Sequence, residues 1–148
     1  MMTTTNGTKA MLATQGASAV YAACAANLTA AAERARAALE ARRDVLILCA
    51  GRDGAFSLDD AYAAGRLAAA ALGGRKRRRG LNDAALAALD LVRRYGDAWH
   101  RPLSYSAAGR ELIRLGFTAD VEDAARVDAY PVLPYLHDRR VTIAPPFA

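Results

Sequence analysis

A chain of 148 residues that is 53% apolar and 24% charged is long enough to bury one core and too apolar to stay disordered. Much of the apolar share is alanine, which favours helix but buries little area, so the core falls to Leu, Val, Ile and a few aromatics. The formal charge of +5 is local, because the run Arg75-Lys76-Arg77-Arg78-Arg79 removed leaves cations and acids in balance. Cys24 and Cys49 are the only cysteines, which excludes a disulfide framework or a zinc site and fits a reduced setting.

Residues 3–8, Thr-Thr-Thr-Asn-Gly-Thr, read as a strand end entering a tight turn, since Asn and Gly tolerate positive φ. A short helix is expected over 9–13, stopped by Gly16, and a buried strand over 17–24. Asn27 or Thr29 can cap a helix over 29–42, whose apolar positions Leu28, Ala32, Ala35 and Leu39 keep helical spacing. The clearest strand is 44–49, Asp-Val-Leu-Ile-Leu-Cys: an apolar run without alternation points to burial on both faces, as in a parallel sheet. It runs into the glycine-bracketed loop 51–54. Ser57-Leu58-Asp59-Asp60 resembles a capping box, opening a helix over 58–72 that ends at Gly73-Gly74.

Beyond the basic run, Asn82 and Asp83 start a helix over 83–95 with Gly96 as its stop. A loop with Trp99, His100 and Pro102 leads to a helix over 105–115. Gly116 suits a left-handed cap, with Phe117 packing back on Leu112. Asp120 and Asp123 begin a short helix to about 127. Two strands follow, over 130–134 (edge-placed by Pro131 and Pro134) and 140–143, and are expected to pair. The fold expectation is therefore a single α/β domain over 1–148, with a partial parallel or mixed sheet flanked by helices and a small C-terminal strand pair.

Several chemistries can be weighed on residue types. The loop Thr5-Asn6-Gly7-Thr8 offers backbone N–H groups and polar side chains to an anion, or is a plain turn. In open parallel sheets ligands bind beyond the carboxyl ends of strands, so Gly51, Arg52 and Asp53 stand where a site would form. Asp59 and Asp60 can ligate magnesium, or simply favour a helix N-terminus. Cys49 lacks the arginine six positions on that a cysteine phosphatase uses, for position 55 is Ala55. No Asp-x-Asp-x-Thr run follows a strand, and His100 and His137 stand in no ligand spacing. The basic run has no interleaved aromatics, so no nucleic-acid partner is expected. No apolar run of about 18 residues predicts a membrane span.

Taken in order, the blocks Thr4-Thr5-Asn6-Gly7-Thr8, Cys49-Ala50-Gly51-Arg52-Asp53-Gly54-Ala55-Phe56-Ser57-Leu58-Asp59-Asp60, Ala61-Tyr62-Ala63-Ala64-Gly65, Ser106 with Gly109, Leu115-Gly116-Phe117, Asp120-Val121 and Tyr130-Pro131-Val132-Leu133-Pro134 resemble the 2-phosphosulfolactate phosphatase family. The sequence departs from that pattern at Asp59 (Glu in the family), at Ala63 (often Cys) and at Ala107-Ala108 (often a His-Gly-like pair). The resemblance implies a Mg2+-dependent hydrolase that converts 2-phosphosulfolactate to sulfolactate and phosphate, a reaction of coenzyme M biosynthesis. It implies substrate binding by Asn6, Gly7, Thr8, Gly51 and Arg52, and metal binding by Asp53, Asp59 and Asp60. It further implies that the chain corresponds to the C-terminal part of the family, without the N-terminal half that carries an Asp-Val-Leu-Arg-Ala-like segment and further acidic and polar residues of the site. The expectations that follow are a cytoplasmic protein with a small phosphorylated sulfonate as substrate, and a homo-oligomer or an association with that missing half. The alternative is a non-catalytic anion-binding module or the complementing subunit of a split enzyme.

Overall fold

The structure is a computed structural model that describes residues 4, 6–74, 80–138 and 140–143. The basic run 75–79 and Thr5 of the proposed anion loop lie outside the described residues. Among the described residues there are seven α-helices: α1 (Gly7–Leu12), α2 (Leu28–Glu40), α3 (Leu58–Leu72), α4 (Asp83–Tyr95), α5 (His100–Tyr105), α6 (Ala107–Arg114) and α7 (Thr118–Ala124). A 3₁₀ turn, Ala25–Asn27, leads into α2. Three strands, β1 (Val20–Tyr21), β2 (Pro134–His137) and β3 (Arg140–Ile143), form one sheet in the order β1-β2-β3.

Both pairings are antiparallel, with Tyr21 opposite Tyr135 and Tyr135 opposite Thr142. The expected parallel or mixed sheet is not what these strands make. The largest departure is 44–49, which is neither helix nor part of a ladder among the described residues. Its apolar run carries the pattern of a doubly buried strand, yet among the described residues no backbone hydrogen bond joins it to another segment. The C-terminal pair is present, but its first member is Pro134–His137 rather than 130–134. Pro131 has no N–H to give a ladder, and the Val132 N–H turns back to the Tyr130 carbonyl at 2.7 Å. Only two residues of the expected strand 17–24 are paired.

The helices over 58–72 and 83–95 stand as expected. Asn82 caps α4 by accepting the Ala85 N–H at 2.9 Å. The helix expected over 105–115 stands as α6, while the loop expected before it forms α5. The two break at Ser106, whose backbone is extended and whose hydroxyl oxygen accepts the Gly109 N–H at 2.9 Å. The left-handed stop at Gly116 is realised: Phe117 N–H reaches the Leu112 carbonyl at 2.9 Å and Gly116 N–H reaches Ile113 at 3.0 Å. Asn27 occupies the N-cap position of α2, but its side chain makes no capping bond there. Asp128 supplies one from across the fold, accepting the Thr29 N–H at 2.8 Å and its hydroxyl at 2.6 Å.

The core sits where α3 meets the 3₁₀ turn, α2 and the start of α5. Tyr62 is fully buried, with Ala25, Leu28 and Trp99 around it. Its ring meets Trp99 edge-on at 5.0 Å and Tyr95 edge-on at 5.9 Å, and its hydroxyl donates to the Gly96 carbonyl at 2.8 Å. The α3–α4 approach depends on Gly65, where an added Cβ would lie 2.2 Å from the Ala88 carbonyl oxygen. Buried Asn27 fastens the β1 end to the C-terminal region. Its amide donates to the Ala22 carbonyl at 3.1 Å and to Val132 at 3.0 Å, while its oxygen accepts the Cys24 N–H at 2.8 Å.

Candidate functional site

Two stretches far apart in sequence meet at the start of α1. Thr4 and Thr8 hold one another reciprocally: Thr8 N–H donates to Thr4 Oγ1, and Thr4 N–H to Thr8 Oγ1, each at 3.0 Å. This clasp fixes the turn that carries Asn6 and Gly7. A Cβ on Gly7 would lie 2.8 Å from Thr4 Oγ1, so the clasp needs glycine there. Asn6 Oδ1 accepts the Asp53 N–H at 3.3 Å, which brings loop 51–54 beside the turn.

Loop 51–54 is a small hairpin. Arg52 and Ala55 exchange both backbone hydrogen bonds, at 3.1 and 2.8 Å, around Asp53 and Gly54. Both central residues have positive φ, 52° and 80°, the conformation for which Asp-Gly is suited. The hairpin is moored to α3: the Gly51 N–H donates to Asp60 Oδ2 at 2.6 Å. Gly51 was expected to meet substrate, but its amide is already given to Asp60.

Asp59 and Asp60 occupy the first turn of α3, where the helix dipole favours negative charge. The expected capping box is not formed, since the Ser57 hydroxyl donates to Asp59 Oδ1 instead of accepting a helix amide. Burial pushes the Asp60 carboxyl above its ordinary range. The Gly51 N–H opposes that shift and the Asp59 charge adds to it. Burial likewise pushes the Cys49 thiol up, helped by the charges of Asp60 and Asp59. Cys49 therefore stands against these acids as a protonated thiol, poorly suited to act as a nucleophile.

The predicted site residues thus fall into two linked groups. Asn6 and Asp53 are joined directly, and Gly51 is joined to Asp60. The three expected metal ligands do not converge: among the described residues no three His, Cys, Asp or Glu side chains cluster to hold an ion. Sequence reasoning missed three contributors. Thr4 announces itself only by its spacing from Thr8. Cys49 was weighed only as a cysteine-phosphatase nucleophile, and not as a neighbour of the two acids. Glu111, on α6, lies close enough to Arg52 to feel its charge, which adds to the stronger pull of Arg114 in lowering the Glu111 carboxyl. No local signal could have linked Glu111 to that loop.

On one side of this region lies a mostly apolar groove of about 660 Å³, lined by α1, α2, α3 and the segments 18–24 and 43–50. Asp60 and Gly7 stand on its wall, so the polar cluster and the groove are continuous.

Comparison with known proteins covers nearly the whole chain. The family model for 2-phosphosulpholactate phosphatase matches residues 1–139. A probable 2-phosphosulfolactate phosphatase of Symbiobacterium thermophilum is 36% identical over 143 residues, which is 97% of this chain and 60% of that protein. One from Deinococcus radiodurans is 40% identical over 139 residues, 92% of this chain and 55% of that protein. One from Thermus thermophilus is 41% identical over 142 residues, 94% of this chain and 57% of that protein. The chain therefore spans little more than half the length of the curated relatives it matches.

Proposed function

Because the chain belongs to the 2-phosphosulfolactate phosphatase family, we propose that it carries part or all of a Mg2+-dependent site hydrolysing 2-phosphosulfolactate to sulfolactate and phosphate. The observation that carries this reading is the Asn6–Asp53 contact, which sets a polar turn and an arginine-bearing hairpin side by side. With Asn6 Oδ1 taken by the Asp53 N–H, the Asn6 amide N–H₂ is left to donate to a phosphoryl oxygen. Thr8 Oγ1 accepts the Thr4 N–H and lies 3.5 Å from Thr4 Oγ1, a contact in which either hydroxyl can donate; with Thr4 as that donor, the Thr8 proton can be turned to a ligand. Gly7 keeps the backbone open for close approach of an anion. Arg52 would take the sulfonate or carboxylate of the substrate, a planar fork suited to oxyanions. Glu111 lies near enough for its carboxylate to feel the Arg52 charge, but its hydrogen bonds go to Arg114, so the Arg52 fork is left for a ligand.

Asp59 and Asp60 each have one carboxylate oxygen engaged by a named donor and a second oxygen left over. Two such carboxylates fit Mg2+, which is commonly held by one or two acids, its remaining positions going to water and phosphate. The raised Asp60 carboxyl marks a place where negative charge lacks compensation, and a cation would supply it. Bound there, the ion would polarise the phosphoryl group and neutralise its charge. In the overall reaction water adds to phosphorus, the ester oxygen leaves and takes up a proton. A small anionic substrate and two free thiols suit a cytoplasmic reaction.

A second reading is favoured by the span of the match, 55–60% of the relatives: an anion-binding subunit that turns over only with a complementing polypeptide. Phosphate release from 2-phosphosulfolactate, followed with and without Mg2+, separates the two. Turnover by the 148-residue chain alone supports the enzyme reading. Turnover only after the unmatched part of a relative is added supports the subunit reading, and none under either condition overturns both.

A further inference from the structure

The segment 44–49 is in a condition that a finished fold avoids. Its side chains are apolar at consecutive positions, yet Leu46 is 80% exposed, and Val45 and Leu48 are exposed too. It is neither helix nor strand, and among the described residues no backbone hydrogen bond joins 44–50 to any other segment. A β-prone run whose N–H and C=O groups lack backbone partners among the described residues is a template for another strand. Beside it runs the groove described above, whose walls carry Tyr21, Ala31, Ala35, Ala38, Met11 and Leu67. Alanine at α2 positions leaves room there that larger side chains would fill, and the room is apolar.

We infer that 44–49 and this groove form a docking surface for a β-strand supplied by the part of the family's fold that this chain does not match. The length of the relatives names the occupant: about two fifths of each lies outside the match, since the match covers 60%, 55% and 57% of the three compared. That strand pairs with 44–49 and lays apolar side chains into the groove, so both faces of the segment become buried as its composition requires. The pairing also braces the strand end that leads into Gly51, Arg52 and Asp53, coupling occupancy of the groove to the shape of the polar cluster. The inference rests on family membership and not on phosphatase chemistry, and its test uses no activity.

The test is backbone hydrogen exchange at 44–49 in the 148-residue chain, alone and mixed with the unmatched part of the Deinococcus radiodurans relative. A single-chain fusion of the two through a flexible linker serves where that part does not fold by itself. Amides 45–49 exchange at least about tenfold more slowly when it is present, in a one-to-one complex. Leu46→Asp abolishes that protection and leaves the fluorescence of buried Trp99 unchanged. Unaltered exchange in both mixture and fusion overturns the inference. So does protection that is already present in the chain alone and rises with its concentration, which would make a second copy the occupant.

Discussion

At the residue scale, Asp60 shows how structural and chemical roles compete for one side chain. One oxygen moors the 51–54 hairpin through Gly51, and the carboxyl is partly desolvated next to another acid. Its folded-state affinity for protons is raised above the ordinary value of 3.8, so the folded state binds a proton more readily than the unfolded state does. The stability this group contributes is full below that value and is lost as pH rises through the raised one. Asp60→Asn keeps an acceptor for Gly51 and does not titrate. Urea denaturation from pH 3.5 to 7 is therefore expected to show the variant gaining on the native chain as pH increases, and a difference flat with pH would contradict the assignment. Tyr62 is a simpler case. Tyr62→Phe keeps the ring among Trp99 and Tyr95 and removes only the hydroxyl. The Gly96 carbonyl retains a donor in Arg66 Nη1 at 2.8 Å, so the loss is about 1 kcal/mol, the ordinary net worth of a hydrogen bond, read from the same denaturation curves.

At the element scale, helices were more legible than strands. The bounds of α3 and α4 could be read from a start signal, an apolar face and a glycine stop, because all three act within a few residues. The Ser106 break was not legible: its hydroxyl can end one helix and cap the next, and the sequence does not say which turn it serves. Strands depend on partners elsewhere in the chain. The apolar run 44–49 specifies burial but not what buries it, and Asp128 as the cap of α2 lies too far along the chain to be inferred. At the site, the proximity of Asn6 to Asp53 was not derivable from spacing, whereas the Asp-Gly turn was. Helix contacts also set the sharpest mechanical prediction. Gly65→Ala places a methyl 2.2 Å from the Ala88 carbonyl, with Val92 Cγ2 at 2.9 Å, where rigid backbone must move. Overpacking of this kind costs about 1–3 kcal/mol, and thermal unfolding should register it as a lowered midpoint. An unchanged midpoint would mean that α3 and α4 do not cross as closely as described.

At the scale of the whole molecule, one core around Tyr62 and Trp99 carries helices on which the polar cluster is hung, while the sheet, among the described residues, does not include the segment that feeds the site. Among the described residues no helix is long and apolar enough to cross a membrane. The site draws on chain from both sides of α2, so its integrity reports on the assembled fold and not on one motif. The most direct measurement is a titration with inorganic phosphate followed through the backbone amide signals of 6–8 and 51–54. Both sets are predicted to shift together with a single dissociation constant, and Asn6→Ala is predicted to weaken the response in both. Shifts confined to one stretch, or two unequal constants, would contradict a single site built from the two loops.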